Sequence, residues 1–135
     1  MSKLLRHTSL CLTLALVPSC GLWHTLHPRI DKERAPKIVE FIPADDAVMV
    51  PADLQEMIVR FDRSMHSGFS LRFHGPNPLT EEPYWRDPTE LVIPIRLQTG
   101  AQYTIDLNDP EHFSFIDRQG FALLPTRWQF TTATE

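Results

Sequence analysis

Prolines recur along the whole chain and limit the fold more than any other feature. Twelve of the 135 residues are proline. Each one removes a backbone amide donor and fixes φ, so a helix is interrupted wherever a proline falls in its interior. Between the prolines, apolar and polar residues alternate over short stretches, which is the period of a half-buried strand. We therefore expect an all-β chain built from short strands.

The alternation assigns an inward face to each predicted strand. Residues 56–61 (EMIVRF) place Met57, Val59 and Phe61 on one face, and the same pattern holds in four later segments: Phe69, Leu71 and Phe73; Leu91, Ile93, Ile95 and Leu97; Tyr103, Ile105 and Leu107; Trp128 and Phe130. Pro94 cannot donate to a ladder, so we expect its strand at a sheet edge or with a bulge. Residues 52–57 (ADLQEM) are the one candidate for a short helical turn.

The spacing of strands and turns indicates the fold class. Strands separated by Pro, Gly and Asp turns, with hardly any helical period, are typical of a β-sandwich. A hydrophobic content of 42% is enough for a packed core. We predict an antiparallel β-sandwich of about seven strands over residues 36–133.

The first 20 residues have the order of a bacterial export signal. Lys3 and Arg6 precede an apolar run from Leu10 to Val17, which is shorter than the about 20 residues that a membrane-spanning helix needs. The ending LVPSC resembles a lipobox, and this resemblance implies cleavage before Cys20 and attachment of a diacylglycerol to its sulfur. The alternative is an ordinary signal peptide, cut near residue 19, that leaves Cys20 as a free thiol.

These features predict the domain order and the location. Residues 1–19 are the predicted lipoprotein signal peptide, and residues 20–35 are a predicted flexible tether without a sustained strand or helix period. We expect an exported protein that is held in the bacterial cell envelope by the diacylglycerol on Cys20. In a Gram-negative host, Gly21 in place of Asp resembles the pattern of lipoproteins sent to the outer membrane.

The net charge excludes one class of partner. It is −4 for the whole chain and becomes −6 when Lys3 and Arg6 leave with residues 1–19. An acidic chain without a Lys/Arg cluster lacks the electrostatic footprint of nucleic-acid binding. We expect no nucleic-acid partner, and we expect the membrane to be reached through the lipid rather than through a basic patch.

Four segments, in order, resemble one known family. PKIVEFIPADDAVMVP, IVRFDRSM, LQTGAQYTIDLN and DRQGFALLPTRWQFTT are similar to motifs of the bacterial Ig-like domain of the S-layer (SbsA-like) type, over residues 36–132. The resemblance implies that the predicted sandwich is an Ig-like antiparallel β-sandwich, and that the protein is a structural or adhesive envelope module. It also implies structural roles for a set of motif residues: Phe61, Met65, Gly100, Tyr103, Gly120, Trp128 and Phe130. Among these, we expect a tyrosine corner at Tyr103 and a turn with positive φ at Gly120.

No catalytic motif is present in the sequence, so we expect a protein without enzymatic activity and without a cofactor. Its predicted role is structural, adhesive or protein-interacting, with an unidentified envelope protein as partner. The alternative is a module that binds a glycan or calcium. Tyr84 and Trp85 would form an aromatic platform for a sugar ring if both were exposed, whereas the favoured alternative is that Trp85 folds into the core between the sheets.

Two sets of residues are weak candidates for metal binding. An acidic stretch brings oxygen ligands together and is the calcium candidate: Asp106, Asn108, Asp109 and Asp117. The alternative to calcium binding is a polar loop that caps strand ends. His24 and His27 have a spacing that metal ligands can have, but no carboxylate cluster lies near them in the sequence.

Overall fold

The computed structural model describes residues 27–135, which form two packed sheets. The eight strands are β1 (Ile38–Ile42), β2 (Ala47–Val50), β3 (Glu56–Phe61), β4 (Leu71–His74), β5 (Tyr84–Asp87), β6 (Glu90–Pro94), β7 (Gln102–Leu107) and β8 (Thr126–Thr132). Sheet 1 has the order β1-β3-β6-β5, and sheet 2 has the order β2-β8-β7-β4. The predicted all-β sandwich is confirmed, with eight strands. All neighbouring strands are antiparallel except β2 and β8, which are parallel.

The core lies between the sheets and is made of the predicted inward faces. Met57 and Val59 of sheet 1 and Ile105 and Trp128 of sheet 2 are fully buried. Burial of such side chains stabilises the fold by roughly 1.5 to 3 kcal/mol each. The predicted inward residues of β4 are less buried than those of the other strands. They are only half-buried, because β4 lies at the edge of sheet 2. Alternation therefore identified the core side of each strand.

Two local predictions are wrong. Strand β6 lies inside sheet 1, between β3 and β5, and not at an edge, and its register with β3 runs to Pro94 without a bulge. Pro94 is tolerated there because it is the last residue of the strand, and its carbonyl accepts a hydrogen bond from the Thr80 amide at 3.2 Å. The predicted helical turn over residues 52–57 is a turn at 52–53 followed by β3, which carries Met57 into the core.

A long connection after β7 closes one end of the sandwich. Asn108 has a φ of +54° and is buried. Its side-chain amide donates to the carbonyls of Phe115 and Leu123 at 3.1 and 2.8 Å and accepts from the Phe115 amide at 2.9 Å. The Phe115 ring lies 5.5 Å from that of Phe61, centroid to centroid. The Asn108 side chain therefore fixes the path that carries Phe115 into the core.

The described part of the predicted tether contacts the domain. The Arg29 amide donates to the Gly120 carbonyl at 2.8 Å, and the Arg29 carbonyl accepts from the Ala122 amide at 3.0 Å. Ala35 is buried. Residues 27–135 contain no helix that could span a membrane. The predicted signal peptide, Cys20 and His24 lie outside the described residues.

Candidate functional site

A small recess at the end of β7 gathers the carboxylates of Asp106 and Asp109. We call it the acidic recess; its volume is about 260 Å³, and its walls are Asp106, Asn108, Asp109, Pro110, Pro125, Thr126 and Arg127. Strand β7 supplies Asp106, β8 supplies Arg127, and the connection after β7 supplies Asp109. Three of the four residues of the calcium candidate therefore line one recess.

Asp106 is held by partners from both neighbouring strands. Asp106 pairs with Arg127 of β8 in the strand register, and the Arg127 Nε donates to its Oδ1 at 2.9 Å. On the other side, His74 of β4 places its Nε2 at 2.7 Å from Oδ2. The hydrogen bond from Arg127, assisted by that from His74, lowers the pKa of Asp106 to about 2. Asp106 is therefore a carboxylate over the whole physiological pH range.

Asp109 forms a second pair with a histidine, within a single turn. Its Oδ1 accepts from the Glu111 amide at 2.8 Å and lies 3.1 Å from Nδ1 of His112. The bond from the Glu111 amide, with help from His112, lowers the pKa of Asp109. This pair is local, since its members are three positions apart in the sequence, whereas the His74–Asp106 pair depends on the register of β4 and β7.

Imidazole nitrogen and carboxylate oxygen are the donor atoms that the two pairs present to solvent. The side chains of His74 and His112 are 41% and 65% exposed. Neutral imidazole suits copper, zinc, iron and nickel ions. Within residues 27–135, no three His, Cys, Asp or Glu side chains lie close enough together to hold one ion. Each pair thus offers two ligands, and a bound ion would take its others from water or from elsewhere.

The remaining calcium candidates are used inside the protein. The Asn108 side chain makes the three hydrogen bonds described above. Asp117 is 1% exposed and lies away from the recess; its Oδ1 accepts from the amides of Gln119 and Phe121, both at 2.9 Å, and its Oδ2 accepts from Arg63 at 3.2 Å. The structure therefore does not bring the four candidates together as one site.

Tyr84 and Trp85 do not form a common aromatic platform. They are neighbours on β5, so their side chains point to opposite faces of sheet 1. The Trp85 ring packs 5.6 Å from that of Phe61, and its Nε1 donates to the Ser67 carbonyl at 2.9 Å. Tyr84 is 46% exposed. A sugar-stacking surface that uses both rings is absent.

The residues of the predicted family motif have structural positions. The Tyr103 hydroxyl accepts a hydrogen bond from the Gln98 amide at 2.8 Å, which is the arrangement of a tyrosine corner. Met65 is 2% exposed, and Gly100 and Gly120 have φ values of +61° and +91°. Phe61, Trp128 and Phe130 are buried in the core. None of these side chains is available to a ligand.

Two bacterial proteins have a similar fold. CopC from Methylosinus trichosporium OB3b superposes with a TM-score of 0.55 and 16% identity, over 73% of this chain and 93% of that one. PcoC, a copper resistance protein from Escherichia coli, gives a TM-score of 0.52 and 16% identity, over 71% and 98% of the two chains. No family model and no curated protein matches the sequence. At this level of identity the likeness shows the fold alone.

The resemblance to the S-layer Ig-like family is wrong. No model of that family matches, and similar solved structures include CopC and PcoC. The quoted segments are turns and strand entries, namely Pro and Asp before a strand, Gly before Tyr103 and Gly120 before the last strand. Any sandwich with these turns needs the same residue types, because positive φ and strand starts have the same chemistry in every family.

The sequence pattern missed the histidine partners of the two aspartates. His74 and Asp106 lie on the outward faces of two predicted strands, and so does Arg127. A polar row across neighbouring strands is the signal that could have joined them, but it required the order of strands in sheet 2. His27, the described member of the other histidine pair, is exposed.

Proposed function

We propose that this chain is an exported, non-enzymatic binding module of the cell envelope, and that its ligand is a copper ion. The observation that carries the proposal is the exposed His74–Asp106 pair, 2.7 Å apart, on a sandwich similar to PcoC, a copper resistance protein. Neither observation suffices alone, because the likeness concerns the fold and the pair supplies only two donor atoms.

Copper(II) is the form of the ion that suits these donor atoms. It binds imidazole nitrogen and oxygen ligands in tetragonal geometry, and it is the strongest binder of the divalent first-row metals at a given site. To bind, the ion would replace the hydrogen bond between His74 and Asp106 and would repel the nearby Arg127. The remaining ligands would be water molecules. We therefore expect weaker binding than at a site with three or four protein ligands.

The export part of the proposal rests on the sequence of residues 1–20. A lipid on Cys20 would keep the domain at a membrane surface, and residues 27–35 would dock it close to its anchor. The intact mass of protein recovered from membranes of its host tests this part. A mass equal to residues 20–135 plus a diacylglycerol is expected, and an unlipidated mass would remove the anchor from the proposal.

Titration of the metal-free full chain with copper(II), against a competing chelator of known affinity, tests the copper part. We expect one saturable equivalent, and we expect His74→Ala to weaken it at least about tenfold, since one of two protein ligands is lost. His66→Ala is the matched control, because His66 is an exposed histidine away from the recess. Equal affinity in the His74 and His66 variants would overturn the assignment, as would the absence of saturable binding.

A structural or protein-interacting role in the envelope is the second candidate. It is favoured by Tyr84, a large aromatic side chain that is 46% exposed and lines a groove of about 560 Å³. A chain that fails to bind copper but binds a partner at this groove would support the second candidate in place of the first.

A further inference from the structure

A groove at one end of sheet 1 is unused by the His74–Asp106 pair. We call it the Tyr84 groove; its volume is about 560 Å³, and it is formed by residues 52–56, Thr80, Glu81, Tyr84, Pro94, Ile95 and Arg96. It belongs to β5, β6 and the loops beside them, whereas the acidic recess belongs to sheet 2. We propose that the Tyr84 groove binds a lysine or arginine side chain on an extended segment of a partner protein.

The groove is held open by backbone hydrogen bonds on both walls. The Ile95 amide donates to the Gln55 carbonyl at 3.0 Å, which fixes the loop before β3. On the other side the Arg96 amide donates to the Pro78 carbonyl at 2.9 Å, and the Thr80 amide donates to the Pro94 carbonyl at 3.2 Å. Both loops are therefore anchored to the same short segment at the end of β6, residues 94–96. A preformed groove spares a ligand the ordering cost that a flexible loop would impose.

The surface of the groove combines an apolar base with an aromatic wall. Leu54 and Pro94, which are partly exposed, supply apolar surface, and Tyr84 lines the side of the groove. An aliphatic stem such as that of lysine or arginine buries apolar area on such a base, while its charged end stays near the rim. A cation over the face of a tyrosine ring is attracted by the negative charge of that face.

The charges at the rim select a cationic occupant. Three acidic residues and one basic residue, Arg96, are among those that form the groove; the acidic ones are Asp53, Glu56 and Glu81. Glu56 is engaged by Arg86 at 3.2 Å. Neither Asp53 nor Glu81 makes an ion pair with any residue in the described range 27–135. Two carboxylates thus remain to meet a basic side chain, and a like-charged segment would be repelled.

The proposal is tested by nuclear magnetic resonance titration of the metal-free full chain with two peptides. The first is acetyl-Gly-Lys-Leu-Lys-Gly-amide, and the second has glutamate in place of both lysines. We expect the lysine peptide to shift the amide signals of residues 52–56 and 80–85 in a saturable way that weakens with added salt. We expect the glutamate peptide to leave them unchanged. Equal shifts with both peptides, or shifts confined to another surface, would overturn the proposal.

Substitutions distinguish the contribution of the Tyr84 ring to peptide binding from that of the Glu81 carboxylate. Tyr84→Ala is expected to weaken binding about two- to fivefold, whereas Tyr84→Phe keeps the ring and stays within about twofold. Glu81→Gln is expected to weaken it about twofold, and Glu82→Gln is the matched control, because Glu82 is an adjacent carboxylate that does not line the groove. Unchanged affinity in both Tyr84→Ala and Glu81→Gln would contradict the assignment. A concentration-dependent dimer of the free chain, abolished by Tyr84→Ala, would overturn it in favour of self-association.

Discussion

Asp106 and Asp117 are aspartates of one acidic stretch, yet the fold gives them different environments. The Asp117 side chain is 1% exposed and accepts hydrogen bonds from two backbone amides and from Arg63. The Asp106 side chain is 17% exposed, and its partners are two side chains that themselves reach solvent, His74 and Arg127. The first carboxylate is enclosed by its own turn, and the second stands at the mouth of the acidic recess.

The difference shows how burial separates a structural carboxylate from a candidate ligand. A buried carboxylate is tolerated only when its oxygens are hydrogen-bonded, and exchanging those bonds for a ligand would leave buried amides unpaired. The partners of Asp106 can turn to water at little cost when an ion arrives. Residue type and position in the sequence are similar in the two cases, so the environment decides the role.

Removal of the Asp117 carboxylate has the largest expected effect on stability. Asp117→Ala leaves the buried Phe121 amide without an acceptor and Arg63 without its buried partner, so we expect a loss of about 3 kcal/mol in the free energy of unfolding. Urea unfolding followed by tryptophan fluorescence measures it. A loss below about 1 kcal/mol would show that Asp117 is as replaceable as an exposed aspartate, and the contrast with Asp106 would fail.

Asn108 tests whether an uncharged side chain that is buried and hydrogen-bonded is as important for stability. Asn108→Ala removes three buried hydrogen bonds and places alanine at a φ of +54°. We expect it to destabilise the protein by about 2 kcal/mol. Asn77→Ala is the matched control, because Asn77 is exposed and bonds one amide, that of Leu79. Equal unfolding free energies for the two variants would contradict the structural role of Asn108.

Of the three residues, Asp106 is expected to contribute least to the free energy of unfolding at neutral pH. Its contribution is expected to fall in acid. Its pKa is lowered to about 2 in the folded protein from an ordinary value of 3.8. The stabilisation is therefore complete above about pH 4 and is lost as the pH falls towards 2. We expect Asp106→Asn to cost at most about 1 kcal/mol at pH 7, with the difference from the wild type shrinking between pH 4 and pH 2.

Melting temperatures of both proteins at pH 7, 4 and 2.5 check this prediction. Asp53→Asn is the control, since Asp53 is exposed and makes no ion pair within residues 27–135. A difference between the wild type and Asp106→Asn that grows on acidification would contradict the lowered pKa. Such a result would also remove the reason for treating Asp106 as a permanently ionised ligand.

The sequence predicted features that depend on neighbouring residues, and it did not predict contacts between residues far apart in the chain. The alternation around Met57 and Ile105 gave the core faces, and Gly120 gave a turn with positive φ, because these features depend on neighbours along the chain. The contacts of His74 with Asp106 and of Arg63 with Asp117 span 32 and 54 residues. They follow from the order and register of strands, which alternation does not encode.

The chemistry of turns also explains why the predicted family was wrong although the predicted fold class was confirmed. Pro43, the two aspartates at 45 and 46, and Gly100 occur where any sandwich needs a bend, and they carry no information about ancestry. Sequence proximity likewise placed Asp117 with Asp106, since both lie in one acidic stretch. Only packing showed that one of them closes a turn while the other borders a recess.

The most direct measurement is the electron paramagnetic resonance spectrum of the full chain with one equivalent of copper(II), compared with that of His74→Ala. We predict a spectrum with nitrogen coupling from an imidazole ligand in the wild type. We predict loss of that coupling in His74→Ala and its retention in His66→Ala. A spectrum of hydrated copper in the wild type, or a nitrogen-coupled spectrum that His74→Ala leaves unchanged, would contradict copper binding at the His74–Asp106 pair.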